Sequence, residues 1–325
     1  MQQFFRLSPQ AIFRLTQKLT AGILLAGFWC NPILSQSVIE RAEIYKTRNQ
    51  VDISRQNQQN WNKANLGDVI VPQDAVRTGA NSRADLLFNE GTLVRTGAGT
   101  IFRFPPGKRN FELTSGAALI MIRPNQGQST ITTPEAKVVS QGTALLMQHD
   151  PKTKASLIGV LTDSPAGLVE VSTANGDVSI QLQAGQFVSI VQGVVGLVEY
   201  FVLPMFYETV ELAAGIGAGQ EQLIAQEPPE AQATIRAVQA EAIGPLKNQV
   251  AWLNGFCRIS VEVEGISPLI QLLGMELLGM GVSGGRVKFE LPETDLFVIP
   301  FRSIGGITWL NNYCQANQVQ PNQSR

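Results

Sequence analysis

One histidine, three cysteines and a charged fraction of only 16% define what this 325-residue sequence has little of. Soluble domains usually carry about 25% charged residues. With His149 as the only histidine, no Ser-His-Asp or Cys-His arrangement can be built without it, and it stands beside Asp150-Pro151, a turn signal. A zinc-type site needs a Cys/His cluster, and two distant cysteines (Cys257, Cys314) with one histidine cannot supply four ligands. Lys and Arg (25) balance Asp and Glu (26), so there is no basic field to hold nucleic acid. Gly97-Ala98-Gly99 and Gly215-Ile216-Gly217-Ala218-Gly219 lack the lysine and the βαβ setting of phosphate loops. Gly107-Lys108-Arg109 reads as a solvated hairpin tip. Asp163, Glu170 and Asp177 keep open one catalytic route, a carboxylate pair, but nothing in their spacing brings two together. The expectation is a non-enzymatic protein with no cofactor, no metal and no nucleic-acid partner.

The uncharged stretch Leu19 to Ile39 is interrupted by Asn31, Pro32, Ser35 and Gln36, which leaves it short of the roughly 18–20 apolar residues of a membrane span. Arg6, Arg14 and Lys18 flank it, Leu19–Cys30 is apolar, and Ser35-Gln36-Ser37 offers a small-x-small cleavage site. Residues 1–37 therefore read as a secretory signal peptide, with an uncleaved membrane anchor as the rival. Cys30 invites a lipoprotein reading, which the bulky Phe28 and Trp29 before it disfavour. Export to the periplasm or cell envelope leaves Cys257 and Cys314, an even pair that suits one disulfide; two free thiols are the alternative.

What the sequence does have is glycine, 30 residues of it, scattered among short apolar runs. The stretch Arg77–Arg95 sets the rhythm, with Gly79 leading into an apolar strand, a turn at Asn89-Glu90-Gly91 and a strand returning. Similar runs recur to Phe187–Val191, separated by turns such as Pro105-Pro106-Gly107, Ser115-Gly116, Pro124–Gly127 and Asn175-Gly176. This spacing predicts a mainly β fold, a β-sandwich or short β-solenoid of many short strands.

Within it, Leu66-Gly67-Asp68, Arg77-Thr78-Gly79, Ser82–Leu86, Phe88 with Gly91–Arg95, Leu113 with Gly116, Thr133-Pro134–Val138, Gln141-Gly142-Thr143 and Ala184-Gly185-Gln186 occur in order. This set resembles the FecR domain family, β-rich extracytoplasmic domains of bacterial envelope proteins, over about Asn65 to Gly193. In regulator members the resemblance implies a periplasmic domain that senses a loaded receptor and controls a sigma factor from a cytosolic N-terminal domain. Only about eighteen residues precede the apolar run here, so that cytosolic half is not expected. The matched residues also have structural readings. Gly67, Gly79, Gly91, Gly116, Gly142 and Gly185 suit turns closed to other residues, with Pro134 in a turn as well. Asp68, Asp85 and Thr143 are expected to bond turn backbone, and Leu86, Phe88, Leu93 and Val138 to be core. Arg77, Arg83 and Arg95 are the candidates for exposed partner contacts.

Beyond Gly193, Leu197–Tyr207 is apolar around Pro204, either a buried connector or a partner-binding patch. A helix is expected from Pro229 to Ile243, stopping at Gly244-Pro245, with Leu246, Val250 and Leu253 forming a packing stripe after it. Ile259–Glu264 and Arg286–Leu291 alternate as strands, so the tail reads as a smaller α+β region. The expected organisation is a signal peptide (1–37), a FecR-like β-domain (38–195), an apolar connector and helix (196–226), an α+β region (227–314) and a disordered tail (315–325). The expected function is an exported protein binding an envelope protein or polysaccharide, with membrane contact only if the N-terminal segment stays uncleaved. The alternative is a membrane-tethered extracytoplasmic regulator; a carbohydrate-active enzyme would need two carboxylates meeting in a groove.

Overall fold

The computed structural model describes residues 38–107, 109–262 and 312–316, with side chains described up to Gly255 in the long helix that ends at residue 262. The strands are β1 (Ala42–Arg48), β2 (Val51–Ser54), β3 (Asn62–Lys63), β4 (Val69–Ile70), β5 (Ala75–Thr78) and β6 (Arg83–Phe88). Next come β7 (Leu93–Thr96), β8 (Ile101–Arg103), β9 (Asn110–Ile122), β10 (Ser129–Thr132), β11 (Ala136–Ser140) and β12 (Thr143–Asp150). The series closes with β13 (Ala155–Val160), β14 (Val169–Thr173), β15 (Ser179–Leu182), β16 (Gln186–Val191), β17 (Val194–Val195) and β18 (Glu199–Tyr200). The helices are α1 (Leu203–Thr209), α2 (Glu221–Ala225) and α3 (Pro229–Glu262), with a 3-10 turn at Glu211–Ala213.

The fold is mainly β, as the turn spacing predicts, and two sheets share one strand. The inner sheet runs β4-β1-β6-β7-β9-β12-β13-β16, with β17 and β18 both along the far side of β16. The outer sheet runs β3-β2-β5-β8-β9-β10-β11-β14-β15. Among the described residues every pairing is antiparallel except β9 with β10. Residues 110–115 of β9 pair in the outer sheet and 116–122 in the inner one. The strand changes sheets through a bulge, since Leu113 and Ser115 face the consecutive Phe102 and Ile101, and through Gly116 at φ 78°. A Cβ at Gly116 would stand 2.5 Å from the Thr100 Cα, so both the torsion and the space require glycine here.

Alternation along the shared strand builds two cores. Leu113, Ala118, Ile120 and Ile122 enter the cluster between the sheets, with Ile44, Leu86, Phe88, Val94, Phe102, Val138 and Val171. Ala117, Leu119 and Met121 point the other way, onto a cluster with Leu93, Leu146, Phe187, Phe206, Tyr207, Leu212, Ile235 and Val238. The inner sheet is therefore buried on both faces, by the outer sheet and by the helices. The apolar connector is divided: Phe201–Tyr207 is buried in this second cluster and its neighbour, while Leu197, Val198 and Tyr200 are exposed.

The helical part differs from expectation in two ways. The helix starting at Pro229 does not stop at Gly244-Pro245 but continues to Glu262. An interior proline costs about 3 kcal/mol, yet the chain is anchored on both sides of it. Ala242 is buried before it, and Leu253 is buried after it. Gln249 donates from Nε2 to the Phe201 carbonyl (3.0 Å) and accepts at Oε1 from Leu203 N–H (2.6 Å). Residues Ile259–Glu262, expected as the start of a strand, end this helix, because extending an established helix is cheap while a new strand would need a partner. The strand expected at Arg286–Leu291, the signal peptide and most of the tail lie outside the described residues; residues 312–316 form a helical turn.

Gly116→Ala should cost about 2–4 kcal/mol in urea unfolding. Gly176→Ala, at φ 81° in the β14–β15 hairpin but with open space around its Cβ, should cost about 1–2 kcal/mol. Equal costs would mean that the Thr100 contact at the sheet change contributes nothing.

Candidate functional site

Two faces of the sandwich differ in what covers them, and the candidate arginines are divided between them. Arg77 lies on the outer face of the outer sheet. It pairs across strands with Asp52, donating from Nη2 to Oδ2 at 2.7 Å, and its guanidinium sits 4.5 Å from the Trp61 ring centroid. That hydrogen bond holds the Asp52 carboxyl below its ordinary value, against burial and with help from Gln50. Along the same face the cross-strand partners Arg103 and Glu112, Thr132 and Lys137, and Val139 and Glu170 are half-exposed or exposed. This is a polar, charge-balanced platform, open to solvent.

Arg83 and Arg95, expected at the surface, are not there. Arg83 is 6% exposed and Arg95 fully buried, because Arg83, Asp85 and Leu87 of β6 and Leu93 and Arg95 of β7 point to the helix-covered face of the inner sheet. Asp85 stands directly across from Arg95. Asp85 is thus no turn residue: it accepts from Arg83 Nε and Nη2 at 2.7 and 2.9 Å, and Arg95 Nε lies 3.7 Å from its Oδ2. Arg95 reaches on to the helical layer, donating from Nη1 to the carbonyls of Leu212 (2.9 Å) and Ala214 (2.6 Å) and from Nη2 to Glu227 (3.2 Å). Arg83 meets both the backbone carbonyl and the carboxylate of Glu211, which Arg48 also holds at 2.8 Å. Burial works against the Arg83 charge, but the Asp85 carboxylate outweighs it and raises the guanidinium above its usual value. Lys46 adds a 3.4 Å contact to Glu227. The result is a buried seam of alternating charge that fixes the 3-10 turn and the α2–α3 linker to β6 and β7.

The turn between those strands is a second junction. Asn89 Oδ1 accepts from the N–H groups of Glu40 and Arg41, and its Nδ2 donates to the Val38 carbonyl. Gly91 offers its carbonyl to the Thr234 hydroxyl of α3 at 2.5 Å. Arg123 donates to Thr234 and Glu230 and lies where a Gly91 side chain would be, 2.5 Å from its Cβ position. Glu90 pairs with buried Arg109 at 3.1 Å. The hairpin thus touches the entry to the β-domain and the first turns of α3 together.

The remaining expected positions are structural. Gly67, Gly91, Gly116, Gly142 and Gly185 have positive φ; Gly79 does not, and it serves instead to let Gln50 pack 3.1 Å from its Cβ position. Asp68 accepts from the Asn65 N–H in a turn, and Pro134 is exposed in the turn built on the Thr133 hydroxyl. Thr143, placed in β12, bonds the carbonyl and hydroxyl of Thr162. His149 lies not in a loop but at the end of β12, buried, with Nδ1 2.9 Å from Ser156 Oγ, which in turn meets Thr133 Oγ1 at 2.7 Å. Burial lowers its pKa, against Glu135 and Asp150. Among the described residues no cluster of His, Cys, Asp or Glu could hold a metal ion, and no helix is long and apolar enough to cross a membrane. Cys314 packs beside Val202, Met205 and Leu253; the Cys257 side chain lies outside the described residues.

Residues 74–179, from just before β5 to the start of β15, match the FecR protein family. The chain carries a FecR domain over this stretch, and the sandwich described here extends past it at both ends. Among curated proteins nothing matches the chain. Two crystal structures of a "putative anti-sigma factor" from Parabacteroides distasonis are similar to it, each at 19% identity and a TM-score of 0.34. Each likeness covers 39% of this chain and 59% of that one, so the chain spans little more than half the length of the structures it matches.

Replacing Arg95 by Met removes the buried cation between Asp85 and Glu227, leaving them only Arg83 and the half-exposed Lys46, and should cost about 3 kcal/mol in urea unfolding. Arg77→Met, in β5 of the outer sheet and half-exposed, should cost about 1 kcal/mol or less. A smaller loss at Arg95 than at Arg77 would contradict the assignment of the seam.

Proposed function

We propose that this protein is a non-enzymatic FecR-domain regulator that works outside the cytoplasm and relays the state of a bound partner along its chain. The FecR domain at residues 74–179 is the observation that carries the reading. The arrangement of the two faces supports it. The outer sheet leaves its polar face, with Arg77, Trp61, Arg103 and Glu112, free for an envelope protein or polysaccharide. The inner sheet has its opposite face tied through Arg83 and Arg95 to the helices that lead into the C-terminal region. An input on the first face strains β5–β9, and the Asn89–Gly91 turn passes it to the chain entry at Val38–Arg41 and to α3 at once. A freely exported binder of the same partner class is compatible with this domain, but a FecR domain fits a regulator better.

In this reading residues 1–37 stay attached as a membrane tether, and Cys257, one turn after Leu253 in α3, pairs with Cys314 to close the C-terminal region. A reporter fused after Phe201 should be active only outside the cytoplasm, and the protein should fractionate with membranes with residues 1–37 retained. A mature N-terminus near Val38 would remove the tether and favour the exported binder, whereas a cytosolic reporter would defeat both readings. Peptide mapping without reductant should recover Cys257 joined to Cys314.

A further inference from the structure

Helix α3 contains one break in its hydrogen-bond ladder, and a carboxylic acid sits on it. Pro245 has no N–H to give to the carbonyl four residues earlier, which belongs to Glu241, and its ring crowds that same carbonyl. Gly244 between them adds backbone freedom and lies against the loop after β13, its Cβ position 3.9 Å from Asp163 Oδ2. The Glu241 side chain is packed into that contact with both carboxyl oxygens shielded from solvent and neither hydrogen-bonded. The Thr162 hydroxyl beside it accepts from the Ala144 N–H and meets the Thr143 hydroxyl. Burial pushes the Glu241 carboxyl up to about 7; Thr162 opposes this and Asp163 adds to it. The groups facing Glu241 are thus Thr162 and Asp163, with Tyr207 of α1 also within the influence of Asp163. One turn to either side on α3, Ala237, Val238 and Pro245 carry no charge.

Downstream of the break, α3 rests on fewer contacts. Gln249 bonds Phe201 and Leu203, and Leu253 packs with Val202, Met205, Tyr313 and Cys314, while Lys247, Asn248, Ala251 and Trp252 are exposed. We propose that the Glu241–Pro245 break is a protonation-controlled hinge: neutral Glu241 lets α3 lie against the Leu161–Asp163 loop, and charged Glu241 loosens the downstream half from Phe201–Met205. The direction follows from linkage. An undocked Glu241 ionises at its ordinary value while the docked one holds its proton to about 7, so docking weakens as pH rises between those values and then levels off. The hinge does not rest on the regulator reading, because it is read as local protection and not as signalling.

The test is amide hydrogen exchange of the full chain between about pH 5 and pH 8, corrected for intrinsic rates. Protection of residues 246–255, relative to β9, should fall on the order of tenfold across this range, less than a fully buried carboxyl would give because Glu241 is only partly enclosed. In Glu241→Gln the protection should stay flat at its acid-pH level. Asp163→Asn, which keeps Glu241 and serves if the first variant folds poorly, should move the midpoint to lower pH. Burial holds His149 below its ordinary pKa, and it faces the other side of the inner sheet, so the local readout separates the two. Flat protection in the unaltered chain, an unchanged profile in Glu241→Gln, or an unmoved midpoint in Asp163→Asn would each overturn the hinge.

Discussion

Arg95, held by Asp85 on one side and by Glu227, Leu212 and Ala214 on the other, decides where the helical layer sits on the sandwich. Apolar burial alone would press the helices onto the inner sheet without fixing where they sit. A fully buried guanidinium is costly unless each charge it meets is matched, so only one seating of the helical layer satisfies it. Such seams contribute specificity more than stability. Here the specificity joins the FecR domain to the chain that follows it.

Seen this way, the sandwich has a division of labour. The shared strand β9 makes the two sheets one mechanical body, because its bulge and Gly116 leave no break at which they could slide apart. One outer face keeps its polar side chains in solvent. The other is committed to helices through the buried seam and through the Asn89–Gly91 turn. The strands β5–β9 run without interruption from the open face at Arg77 to the Asn89–Gly91 turn that holds α3.

The sequence makes the β architecture legible because period-two alternation and glycine turns are local signals. Phe88, Leu93 and Val138 could be placed in a core from pattern alone, and the FecR likeness follows from the same turns. The seam was not legible in the same way. Arg83-Ala84-Asp85 does announce that the two charges share a face, and β7 returns Arg95 opposite Asp85, but nothing local says that the chain 117 residues beyond Arg95 covers that face. By composition alone the arginines belong at the surface, because charge usually is exposed. A paired Arg-x-Asp facing an arginine across a hairpin was the available clue. The same holds at Pro245: local propensity favours a helix stop there, and the tertiary anchors at Gln249 and Leu253 override it.

The most direct measurement is a double-mutant cycle between Arg95 and Glu227, with Arg95→Met, Glu227→Gln and the pair compared by urea unfolding. If the seam fixes the helical layer to the FecR domain, the two changes are coupled by about 1 kcal/mol or more, the double variant being less destabilised than the sum of the singles. Additivity within about 0.5 kcal/mol would show that the helices sit on the sheet without this contact, and would contradict the account.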